Sequence, residues 1–148
     1  VMQEIIKITD ISKVYKIGTE TIYALQKIDL SITGLAHITG GGIPANLGRI
    51  LRVNGLGAEL NGLFPAHDFM TEIIQLGDIS LFDAYKHWNM GNGMLVVVKK
   101  EEAEQVVFAT HAQGYETRIA GIVTDHKSVI KIALHGTEEY VTYIGAGK

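Results

Sequence analysis

Three consecutive glycines stand in the run His37-Ile38-Thr39-Gly40-Gly41-Gly42-Ile43-Pro44-Ala45-Asn46. Without side chains, they leave main-chain amides that a negatively charged group can approach with no Cβ in the way. The chemistry such a turn suggests is anion binding. A second run, Asn89-Met90-Gly91-Asn92-Gly93-Met94, interleaves glycine with asparagine. His37, at the head of the first run, is the one nearby group able to exchange a proton near neutral pH.

The residue types leave a second reading open at each of these positions. Glycines also mark turns that topology alone requires. His37, at the end of a strand, can be a core histidine. Asn89 with Gly91-Asn92-Gly93 can be a plain helix-to-strand turn, since Asn and Gly accept the left-handed conformation cheaply. Asn92 reads as a local solution of that turn. Asn46, one turn into a helix, can bond the loop instead of a ligand. The other histidines, His67, His87, His111, His126 and His135, have no spacing that gathers two on one face, so no metal site is expected. Ser12, Ser31, Ser80 and Ser128 lack the flanks of a nucleophile elbow.

The elements that must position these runs follow from pattern. Glu4 to Ile11 and Val14 to Ile17 are β-branched enough to be extended, around a Gly18-Thr19 turn. Thr21 to Ile28 fits either a helix, with Ile22, Leu25 and Ile28 in step, or a strand running on to Ile32. Leu35 to Ile38 predicts a short buried strand ending at the glycines. Pro44 then opens a helix over Ala45 to Leu51. Leu56 to Leu60 is a strand, and Ala66 to Leu76 an amphipathic helix with Phe69, Met70, Ile73 and Ile74 inward and Gly77 as its stop. Ser80 and Asp83 cap a helix over Leu81 to His87. Met94 to Val98, apolar without alternation, predicts a central strand covered on both faces. Glu101 to Gln113 is a helix whose Glu101, Glu102 and Glu104 complement its dipole, closed by Gly114. Tyr115 to Val123, Ser128 to Leu134 and Glu139 to Ile144 complete the strands, with a turn at Asp125-His126. The expected fold is α/β (α+β), a mixed sheet with helices packed on it in one layer system.

Composition sets limits on function. The 148 residues suffice for a core, and 47% hydrophobic with 20% charged content describes a compact protein. A net charge of −3 with scattered basic residues gives no footprint for nucleic acid. No cysteine occurs, which removes disulfides and thiolate chemistry and suits a reducing cytoplasm. No apolar run approaches the ~20 residues of a membrane span, and no leader peptide is visible. The expected setting is cytoplasmic, with no membrane partner.

From Gly34 to about Ile132 the chain resembles the C-terminal domain of the aminoimidazole ribonucleotide synthetase (phosphoribosylformylglycinamidine cyclo-ligase) family. The resemblance lies in Gly34-Leu35-Ala36-His37-Ile38-Thr39-Gly40-Gly41-Gly42, Asn46-Leu47 with Arg49-Ile50-Leu51, Gly55-Leu56-Gly57-Ala58, and Trp88-Asn89-Met90-Gly91-Asn92-Gly93-Met94 before Val96-Val97-Val98. It implies ATP-dependent closure of formylglycinamidine ribonucleotide to an imidazole by a homodimer, in purine synthesis. It implies His37 as the catalytic residue, with Thr39, Gly40, Gly41, Gly42, Asn46, Asn89 and Gly91 binding substrate or phosphate. In that family Mg-ATP is held largely by an N-terminal domain, whose residues have no counterpart before Gly34. ATP and magnesium are therefore not expected to bind this chain alone. The expected partners are a phosphorylated ribonucleotide and either a homodimer mate or an N-terminal domain supplied in trans. The alternative is a non-enzymatic scaffold with a vestigial glycine loop.

Residues 1–33 form a separate leader in this reading, ahead of a domain at 34–148. Ile5 to Lys16 and Tyr23 to Ile32 look like the first strands of an ABC-transporter ATPase, with Tyr15 matching its adenine-stacking aromatic. That family next needs Gly-x-x-x-x-Gly-Lys-Ser/Thr, yet the only Gly-Lys here is Gly147-Lys148. The pattern suggests a chimera joined between Asp29 and Leu35, although Ile22 to Gly34 also reads as the cyclo-ligase's own approach to its loop.

Overall fold

A computed structural model describes residues 6–17 and 20–146, so the expected Gly18-Thr19 turn lies outside the described residues, as do Glu4, Ile5 and the side chain of Tyr15. The described chain forms β1 (Ile6–Ile17), β2 (Glu20–His37), α1 (Gly42–Arg52), β3 (Gly57–Leu60), α2 (Asp68–Leu76) and α3 (Leu81–His87). β4 (Met94–Val98), α4 (Ala103–His111), β5 (Gly121–Thr124), β6 (Val129–Ala133) and β7 (Tyr140–Ile144) follow. The architecture is α+β, with helices packed on mixed sheets.

There are two sheets where one layer system was expected. One has the order β1-β2-β4, the other β5-β3-β6-β7. In the second, β3 runs parallel to β6 and antiparallel to β5, and β6 is antiparallel to β7. Two compact units result. One comprises the described residues of 35–95 and 120–148, the other those of 2–34 and 96–119.

Among the side chains described, the buried apolar core lies in the first unit. Ile130 and Ile132 of β6 are fully buried, while Lys131 between them turns to the other face, as the two-residue period of a strand requires. There its Nζ lies 3.6 Å from Glu59 Oε1 and 4.2 Å from the centre of the Tyr140 ring. α1 packs on β3, β6 and α3, and contributes Ile43, Leu47 and Leu51 to the core. These recur at helical spacing, so one stripe of α1 is apolar. Arg49 and Arg52 in its last turn complement the dipole. α3 begins as Ser80 and Asp83 predict. The Asp83 amide donates to Ser80 Oγ at 3.1 Å, and Ser80 Oγ donates to Asp83 Oδ2 at 2.6 Å.

In the second unit β1 and β2 pair antiparallel, Ile6 opposite Ile32 and Ile17 opposite Glu20, with irregular register between Ile8 and Val14. The two short segments expected there are one strand carrying bulges, and the ambiguous Thr21 to Ile28 is strand. Thr33 Oγ1 donates to the Val97 carbonyl at 3.0 Å, and the Ser31 amide to Glu102 Oε2 at 2.9 Å.

Four expectations need correction. β4 is an edge strand, not a central one, and Met94 is 53% exposed. α2 buries none of its residues, and Phe69 and Ile73 are 57% and 47% exposed rather than inward. Both errors have one cause: apolar spacing says which face seeks cover, not whether the chain supplies it. Tyr115 to Val123 is strand only from Gly121. Before it, the Ala120 carbonyl accepts from both Asn61 and Gly62, which breaks the regular ladder. The Glu101 helix opens as a 3-10 turn at Lys100–Glu102 before α4. Among the described residues no helix is long and apolar enough to cross a membrane.

Tyr143 of β7 ties that sheet to α3. Its hydroxyl donates to the Phe82 carbonyl at 2.6 Å, and the two rings stack with centres 4.6 Å apart. Burial, then Asp83, then Tyr85 push the Tyr143 hydroxyl well above the usual tyrosine range, and burial raises Tyr85 as well. The fold therefore holds these protons more tightly than the unfolded chain does. Stability is fully present below about pH 10, the unfolded value, and is lost as pH rises above it. The urea midpoint is expected to fall above about pH 10, and to fall less steeply in Tyr143→Phe. Parallel curves for parent and variant would remove Tyr143 from the account.

Candidate functional site

The two glycine runs lie side by side. The Ile38 amide donates to the Gly93 carbonyl at 2.9 Å, joining the end of β2 to the turn before β4. Gly42 lies against the C-terminal part of α3, where a Cβ would collide with the Tyr85 carbonyl and come within 2.9 Å of that of Trp88. Only glycine allows so close an approach.

The helix takes in the third glycine instead of starting at Ala45. Gly41 is the N-cap with φ 91°, and Gly42 follows at φ 57°, both left-handed. The Gly42 amide donates to the Thr39 carbonyl and the Ala45 amide to the Gly41 carbonyl. Pro44 has no amide to leave unpaired. Among the described residues the amides of Gly40, Gly41 and Ile43 have no partner. A Cβ on Gly40 would meet nothing within 4 Å, so that side of the loop is open.

Asn46 fixes this arrangement from beneath. It is 7% exposed, and its Nδ2 donates to the Gly42 carbonyl at 2.8 Å and to the Gly40 carbonyl at 3.3 Å. Its amide donors are thus committed to the loop carbonyls. Thr39 is exposed beside the turn, and His37 is exposed at the end of β2 rather than set in the core.

The second run is a stack of turn devices. Asn89 Oδ1 accepts from the Gly91 amide at 3.1 Å, Met90 takes φ 48° and Gly91 φ 82°. Gly91 lies where a Cβ would strike the Pro65 carbonyl. Asn92 does more than its sequence context suggested. At 4% exposure, its Oδ1 accepts from the Phe64 amide at 2.9 Å, and its Nδ2 donates to the carbonyls of Phe64 (3.1 Å) and Met90 (2.7 Å). No local signal announces a partner that distant.

The structure thus brings Thr39 to Gly42, Asn46, Asn89 and Gly91 into one region of the first unit. As a whole it is a helix N-terminus with free amides, suited to an anion. Among the described residues no group of three or more His, Asp or Glu that could hold a metal occurs.

Residues 13–132 match the family described as AIR synthase related protein, C-terminal domain. The chain is similar to phosphoribosylformylglycinamidine cyclo-ligases. It is 36% identical to that of Bacillus cereus (strain G9842) over 113 residues, 76% of this chain and 32% of the relative. It is 34% identical to that of Bacillus mycoides (strain KBAB4) over 130 residues, 87% and 36% of the two. A third relative, from Methanopyrus kandleri, is 36% identical over 102 residues, 69% and 28%. The chain therefore spans about a third of the length of these relatives. The family match begins at residue 13, inside the strands that look ATPase-like, and the chimera reading finds no support.

Proposed function

The chain belongs to the AIR synthase related protein family, C-terminal domain, and on that premise we propose that it is the substrate-side domain of a purine-synthesis cyclo-ligase, holding the phosphate of a phosphorylated ribonucleotide. The observation that supports this is the pair of unpartnered amides at Gly40 and Gly41, with Gly40 on the open side of the loop. Phosphate presents several acceptor oxygens and a charge that the start of α1 favours. Gly42 and Asn46 hold the loop, Asn89 and Gly91 shape the neighbouring turn, and exposed His37 is the proton-handling candidate beside it.

Ring closure of this kind requires the amide oxygen to be activated by phosphoryl transfer from positioned Mg-ATP. The residues here do not fit that task, so the chain by itself binds and does not turn over. ATP-dependent imidazole formation by the purified chain alone would contradict this.

Titration with ribose 5-phosphate and with sulfate, followed by calorimetry, tests the binding. Millimolar affinity is expected. Gly40→Asp places a carboxylate at the open position without a collision. Like-charge repulsion at contact distance, ~1 kcal/mol or more, should weaken binding at least about fivefold and leave the melting temperature unchanged. Exposed Phe69, Ile73 and Leu76 on α2 favour a second reading, a non-enzymatic assembly module. No heat and no thermal stabilisation at millimolar ligand would select it.

A further inference from the structure

Within the same unit, a cleft of about 130 Å³ is lined by Asn61, Leu63, Phe64 and Tyr85 on one side and by residues 133–137 of the β6–β7 connection on the other. It is smaller than the ~300–1,000 Å³ of sites for drug-sized ligands, yet holds the volume of about four waters. Three of its polar side chains, Asn61, Tyr85 and His135, have no hydrogen-bond partner among the described residues. Tyr85 is 4% exposed as a residue, yet its hydroxyl is not among the fully buried unpartnered polar atoms of the described residues, so it keeps access to solvent and is free to donate.

Both walls are fixed in advance. The connection closes on itself: the Thr137 amide and Oγ1 donate to the Leu134 carbonyl at 3.1 and 3.2 Å, and the Leu134 amide to the Glu139 carbonyl at 2.9 Å. The opposite wall is clamped at Phe64 by Asn92. Such a cleft requires little ordering when it is filled. The lining contains no Lys, Arg, Asp or Glu, so nothing in it offsets the desolvation of a charged ligand. The Asn61 amide supplies donors and an acceptor, the Tyr85 hydroxyl a donor, and the His135 ring nitrogens further hydrogen-bonding positions.

We propose that this cleft is a binding site for a small uncharged molecule carrying donor and acceptor on adjacent atoms, an amide or an azole. The site is separate from the phosphate loop. None of the loop residues Thr39 to Gly42 is among those lining the cleft.

The test is an amide-resolved NMR titration of the whole chain with acetamide and with pyrazole, using acetate as the charged control and sulfate as the probe of the glycine loop. Shifts from the neutral probes should cluster at Asn61, Phe64, Gly136 and Thr137, and acetate should give none there. Tyr85→Phe keeps the ring and should weaken both probes about tenfold. If that variant fails to fold, Asn61→Ala, at an exposed position, should weaken them by a similar factor. Shifts scattered over the surface, acetate binding as tightly as acetamide, or parental affinity in the substituted chain would each overturn the assignment. Because sulfate reads the glycine loop separately, failure of the cleft and failure of the phosphate reading are distinguishable.

Discussion

Gly42→Ala should lower the melting temperature by on the order of 10 °C, while Gly40→Ala, two residues away, should leave it nearly unchanged. The contrast follows from what a single methyl group meets. At Gly42 it enters the Tyr85 carbonyl and comes within about 3 Å of main-chain atoms of Lys86 and Trp88, none of which can rotate away. The backbone there has φ 57°, left-handed, which costs an L-residue ~1–2 kcal/mol. Forcing α1 and α3 apart adds the ~1–3 kcal/mol typical of overpacking. The sum, roughly 2–5 kcal/mol, corresponds to on the order of 10 °C in a domain of this size. Gly40 meets nothing and has no left-handed requirement. Gly41 is intermediate, left-handed but facing only the Ala45 methyl at 2.9 Å. Scanning calorimetry of the two alanine variants decides the matter. Equal melting temperatures would show that the glycines are interchangeable turn residues.

Those neighbours also show how far the amino-acid pattern could be read. The three glycines announced a turn and a helix start, and both are present, because a helix start is a local device. The Ser80 and Asp83 cap was legible for the same reason: donor and acceptor lie three residues apart. Gly42 was not legible as the contact between two helices, since its neighbours at Tyr85 and Trp88 come from a distant element. The strands were found from their β-branched runs, but the parallel pairing of β3 with β6 was not, because register depends on partners that no single strand encodes. Met94 to Val98 was placed in a centre and lies at an edge. At the site, Asn46 was read both as ligand-binding and as loop-bonding, and its two bonds to Gly40 and Gly42 weight the second role.

Asn92 is the sharpest case of a residue undervalued by its neighbourhood, and its replacement carries the other large expected effect. Its side-chain amide pairs with both main-chain groups of Phe64 and with the Met90 carbonyl, so it serves as one rung of a sheet where no strand exists. Asn92→Ala leaves an amide and two carbonyls facing a site that is almost closed to water. At ~1–3 kcal/mol for each buried group left unsatisfied, with partial rewetting through the space vacated, the cost should be about 3–4 kcal/mol. Asn92→Asp separates hydrogen bonding from size. The carboxylate still accepts from the Phe64 amide but confronts two carbonyl oxygens where the native residue donated. Burial and those oxygens raise its pKa above the ordinary ~3.9. A raised carboxyl favours the fold below the unfolded value and loses that contribution as pH climbs through the folded one. The aspartate variant should therefore gain stability relative to the parent on acidification from pH 7 toward pH 4, whereas the alanine variant should keep a constant deficit. Urea midpoints across that range measure both. An alanine variant within about 0.5 kcal/mol of the parent, the scale of an ordinary surface change, would mean that solvent already satisfies Phe64 and that the clamp holds nothing.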